Sequence, residues 1–237
     1  MMRTVDEPVL TPWRPWEAIP VALAALCTSI IVAVGLAGVG LGAGGTTLLL
    51  SAVAMQASFF GFSLLWVTIR HRQGPAALGL RSGRATRDLA LGAWIGAGLF
   101  AGVLFAILPA IVGLWTVLTG NPPEPIEQPI LPVEPAPLHV VLGAAAVVIA
   151  APLGEEVFFR GFLFGALRGR MGFAPAAAIS AATFAIFHIS PLLVVLMFFV
   201  GFALAWLYER RRSLIAPIGA HAMFNVIGYT LLLMERT

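Results

Sequence analysis

The sequence contains no lysine; all 14 of its basic residues are arginine. Charge of either sign is scarce, at 11% of 237 residues, where a soluble domain carries about a quarter. That excludes an ordinary soluble domain, and with a formal charge of only +3 it argues against nucleic-acid binding. The single cysteine, Cys27, rules out an internal disulfide. There is no HExxH, the helical turn that presents two zinc ligands at once. No internal repeat suggests a transporter built from duplicated halves.

Apolar sequence fills the space, at 59% of residues. Apolar runs fall at 19–40, 46–69, 89–118, 138–167, 174–189, 192–208 and 214–234. Each is expected to be helical, because lipid leaves no backbone group unpaired. The expected fold is all-α: a polytopic transmembrane bundle of about seven spans forming one membrane domain. Residues 1–17 read as an interfacial segment, with Trp13 and Trp16 at the membrane surface. Residues 18–137 read as three spans with a Pro-rich external loop, and 138–237 as the bundle that carries the chemistry.

Arginine sets the orientation. Arg70, Arg72, Arg81, Arg84 and Arg87 follow the second span, Arg168 and Arg170 the fourth, and Arg210, Arg211 and Arg212 the sixth. The loops at 41–45 and 121–137 contain none. Seven spans with a cytoplasmic N-terminus put these clusters in the cytoplasm, with Arg236 the exception.

Ionisable groups inside spans are rare and mark function. GEEVFFRG (154–161) places Glu155, Glu156 and Arg160 in an apolar run. Glu156 and Arg160 are four apart and can pair, whereas Glu155 is turned about 100° away on an α-helix. It is then a surplus acid, suited to proton transfer. FAIFH stacks Phe184 one turn before His188, and HAMFN puts His221 and Asn225 on one helix face. Each has a bland alternative: an ion pair, a structural histidine, interhelical glue. One shared cavity on the fourth, fifth and seventh spans explains them together, with a base, two imidazoles and an amide donor for acyl-bond hydrolysis.

The motifs EExxxR, FxxxH and HxxxN, in this order on apolar spans, resemble the CPBP family of CAAX-type prenyl endopeptidases and Abi-type intramembrane proteases. The resemblance covers the C-terminal half. It implies that Glu155 activates the attacking water, His188 positions it, and His221 and Asn225 form the oxyanion hole. Glu156, Arg160 and Phe184 would support them. It implies a membrane-anchored or lipidated peptide substrate, a lipid bilayer and no nucleic-acid partner. By the arginine topology, the expected site lies in a bacterial cytoplasmic membrane and opens toward the cytoplasm, with the arginines at 168–170 and 210–212 either rimming the entrance or serving only as topology signals. No cofactor is expected; the alternative is zinc held by Glu155, His188 and His221. A non-catalytic membrane partner or immunity protein is a further alternative. Depth imposes a condition. His221 lies about 12 Å and His188 about 20 Å from the arginine side at 1.5 Å per residue, so the fifth span must be short, tilted or sunken for them to meet.

Overall fold

The computed structural model describes residues 11–41, 44–81, 83–124, 136–188 and 190–236, and among these there is no strand. Most of the Pro-rich loop, part of the turn at 41–45 and the first ten residues of the interfacial segment lie outside the described residues. The all-α membrane bundle expected from the sequence is the fold observed. Six helices are long and apolar enough to cross a membrane: α1 Pro15–Gly40, α2 Gly45–His71, α3 Ala85–Thr119, α4 Pro137–Arg168, α6 Pro191–Arg211 and α7 Ile215–Glu235. Between them α5, Phe173–Ile186, has only 14 residues. At 1.5 Å per residue that is about 21 Å, short of the roughly 30 Å hydrocarbon core.

Two of the long helices are interrupted by wider, π-helical turns, at Val103–Ile107 in α3 and Ala145–Ala150 in α4. Pro109 and Pro152 lie just beyond them. Proline has no N–H to give the preceding turn, and a wider turn takes up the mismatch. A third π-helical stretch, Glu156–Phe164, holds most of the GEEVFFRG segment, and all nine of its residues are buried.

Small residues set how closely the helices approach. Gly92 and Gly96 of α3 form a GxxxG pair against α7, where an added Cβ would collide with backbone at Ala216 and Ala220. Gly201 of α6 packs on Ala181 and Phe184 of α5, and Gly154 of α4 on the backbone of Gln56 in α2. These contacts bring α2, α4, α5, α6 and α7 together around one point.

The arginine-bearing ends lie together, tied by Arg211 to Asp88 and by Arg168 and Arg212 to Glu209. The Leu214 N–H donates to Gly79 O at 2.9 Å. Gly79 has φ +92° with Tyr208 packed beside it, a position only glycine fits. The opposite end is marked by His139 of α4 hydrogen-bonded to Thr46 of α2 at 3.1 Å.

One sequence expectation is corrected here. Trp16 is exposed, but Trp13 is fully buried. Its indole N–H donates to Phe162 O at 2.9 Å and its ring stacks on Phe162. Nearby Glu17 accepts from the Trp66 indole and sits 2.8 Å from His71 Nε2. Residues 11–17 are therefore fastened to the arginine end of the core, with the Trp13 ring turned inward.

Gly96→Val is expected to force α3 from α7 and lower stability by about 1–3 kcal/mol. Thermal unfolding of purified protein in detergent measures it; an unchanged midpoint would show that the close approach is not required.

Candidate active site

The site is built outward from Glu156. This carboxylate is fully buried in the π-helical stretch of α4. Its Oε1 accepts from Arg160 Nη1 at 2.7 Å and from His221 Nδ1 on α7 at 2.9 Å. The arginine, also fully buried, donates from Nη2 to Gly201 O of α6 at 3.3 Å. Its guanidinium stands 4.5 Å over the Phe184 ring, a favourable cation–π arrangement in a dry site. One acid thus links α4, α6 and α7.

A carboxylate can only accept, so the Nδ1 of His221 that faces Glu156 carries a proton. The other ring nitrogen, Nε2, lies 3.8 Å from Glu155 Oε2. Phe184 meets His221 edge-on at 5.9 Å between centroids and His188 at 4.9 Å, so a single ring separates the two imidazoles. His188 is held by Nδ1 on Phe184 O at 3.2 Å.

Glu155, His188, His221 and Asn225 all line one cavity of about 580 Å³. The short α5 makes this meeting feasible: it ends at Ile186, so His188 sits at the tip of a hairpin inside the bundle. Asn225 spends one amide hydrogen on Val147 O at 2.8 Å, in the π-helical turn of α4. That contact glues α7 to α4 and leaves the second amide hydrogen free.

The remaining walls are apolar and lie toward the end opposite the arginines, with Leu48 of α2, Leu108 of α3, Leu193 of α6 and Leu232 of α7. None of the arginines at 168–170 or 210–212 lines this cavity. The expected arginine rim is therefore not part of this cavity's lining. Toward the arginine end, the buried Phe158, Phe159, Phe162, Leu78 and Leu214 fill the space.

Among the described residues no three His, Cys, Asp or Glu side chains gather in a way that could hold a metal ion. The trio Glu155, His188 and His221 lines a common wall without forming such a group.

Sequence reasoning missed Gln56 of α2. Its Nε2 donates to Glu155 Oε1 at 2.7 Å, and the residue lines the same cavity. A glutamine in the middle of an apolar span was the available signal. Tyr229 of α7, which donates to Val140 O at 2.8 Å, also lines the cavity.

Residues 137–227 match the family model described as Type II CAAX prenyl endopeptidase Rce1-like. "Putative membrane peptidase YdiL" of Bacillus subtilis is 29% identical over 132 residues, covering 56% of this chain and 52% of that protein. "UPF0177 protein YxdF" of Lactococcus lactis is 30% identical over 81 residues, covering 34% of this chain and 44% of that protein. The chain thus spans about half the length of these curated relatives. No solved structure matches it. The matched segment contains every motif residue around the cavity, so the likeness to CAAX-type membrane peptidases rests on the part of the chain that builds the site.

Proposed function

We propose that the chain is an intramembrane endopeptidase in which Glu155 activates water against a peptide bond. The observation that carries this reading is the convergence of Glu155, His188, His221 and Asn225 on one cavity from separate helices. Glu155 takes one proton from the water as its oxygen attacks the carbonyl carbon. His188 holds the water from the hairpin tip. The oxyanion that forms accepts from the free Asn225 amide hydrogen and from His221 Nε2. For Nε2 to donate, the ring carries both protons, and the carboxylates on either side supply the counter-charge. Glu155 then gives its proton to the departing amine, so that one water is consumed per bond cleaved.

Glu156 and Arg160 do not touch the reacting atoms in this scheme. They hold the His221 ring at one angle and keep the site electrically balanced: two cations, Arg160 and His221, against two anions, Glu155 and Glu156. Phe184 sets the distance between the imidazoles.

The apolar walls suit a membrane-anchored or membrane-buried peptide. With the arginine ends in the cytoplasm, the segment reaches Glu155 from the bilayer or from the far side. Nothing in the lining selects a prenyl group over another apolar chain.

Purified wild type in nanodiscs is expected to cleave members of a quenched peptide library that includes lipidated peptides. Glu155→Gln is expected to lose at least about a hundredfold in rate while staying folded, the usual scale for removing a general base. Equal cleavage by both proteins would overturn the assignment. Cleavage is also expected to survive exhaustive chelation; loss on chelation with rescue by zinc would replace the glutamate mechanism with a metal one.

A further inference from the structure

Gln56 lies outside the family match and belongs to the half of the chain without motifs. It is 6% exposed, in the interior of a helix otherwise rich in apolar residues. Its amide N–H reaches Glu155 Oε1 at 2.7 Å. The amide orientation follows from chemistry: a carboxylate oxygen accepts, so the NH₂ end faces it. The other end, Oε1, is then buried with no hydrogen-bond partner among the described residues. An amide that merely glued two helices would be expected to satisfy both ends. Gly154, the residue before Glu155, packs on the Gln56 backbone so closely that a Cβ there would collide with it. The glutamine and the glutamate are therefore held in register by backbone contact.

We propose that Gln56 is a positioning residue for the reaction inferred above, holding the Glu155 carboxylate correctly aimed. Resting on that reading, the role has two parts. Donation to Oε1 fixes the carboxylate rotamer and leaves Oε2 as the oxygen directed at the water and at His221. The groups facing Glu155 are His221 from α7, Glu156 and Arg160 on its own helix, and His188 at the hairpin tip. Arg160 is committed to Glu156, so Gln56 is the donor that the structure bonds directly to Glu155. The N-terminal spans thus contribute a residue to the site beside enclosing it.

Gln56→Met keeps the length and volume of the side chain and removes the donor. It is expected to lower kcat roughly ten- to hundredfold with KM unchanged, the scale of one hydrogen bond to a charged group. A rise in KM at constant kcat would instead make Gln56 a substrate contact and overturn the proposal. A second readout needs no substrate. Dicyclohexylcarbodiimide, an apolar carboxyl reagent, is expected to label Glu155 several-fold faster in Gln56→Met, where the Gln56 amide no longer occupies Oε1, than in wild type at the same pH, scored by peptide mass. Labelling of Glu155 by a water-soluble carbodiimide in the variant alone would show that the substitution merely opens the site to water, and would overturn the proposal. Gln56→Asn, which withdraws the amide by one methylene, is the second variant should the first fail to fold, with the same results expected. An unchanged labelling rate overturns the proposal even if no peptide is cleaved by any protein, whereas silence of wild type in the library bears on the protease reading alone.

Discussion

The structure depends on how one buried acid is compensated. A carboxylate without partners in an apolar interior is too costly to keep, and Glu156 is fully buried. It is retained because Arg160 and His221 converge on one of its oxygens. Meeting that requirement fixes much else. Arg160 needs its own acceptor, which comes from Gly201 of α6, and an aromatic face, which comes from Phe184 of α5. His221 needs α7 close to α4, which the GxxxG seam with α3 backs from behind. A charge network that looks like a catalytic ornament is also the point where four helices are joined.

The π-helical stretch connects this network to Glu155. It leaves Glu156 and Arg160 paired while Glu155 turns away to a separate environment between Gln56 and His221. Neighbouring glutamates thereby serve different ends, one locked in an ion pair and one facing a cavity. Such wide turns recur at functional sites because they displace a helix face without breaking it.

Much of this was legible in the residues. Long apolar runs made the bundle unavoidable, and the three motifs named the residues that come together. The depth of His188 required α5 to be short, tilted or sunken, and it has only 14 residues. Other features were hidden for physical reasons. Trp13 reads as an interfacial anchor because its burial depends on a carbonyl 149 residues away. The GxxxG seam was present as Gly92 and Gly96, but its partner helix is not encoded locally. Gln56 was passed over because a neutral amide in a span is a weaker signal than a charge. The arginine rim was misjudged because arginines mark topology, whereas the packing of Phe158, Phe159 and Phe162 decides where the interior is solid.

The central claim is that water, activated by Glu155, attacks the peptide carbonyl directly. A single turnover in ¹⁸O-water, with enzyme in excess over a cleaved peptide, tests it most directly. The account expects one ¹⁸O in the new C-terminal carboxylate of the product and none in Glu155. Label in Glu155 with an unlabelled first product would mean that the glutamate itself forms the bond, and the water-activating reading would be wrong.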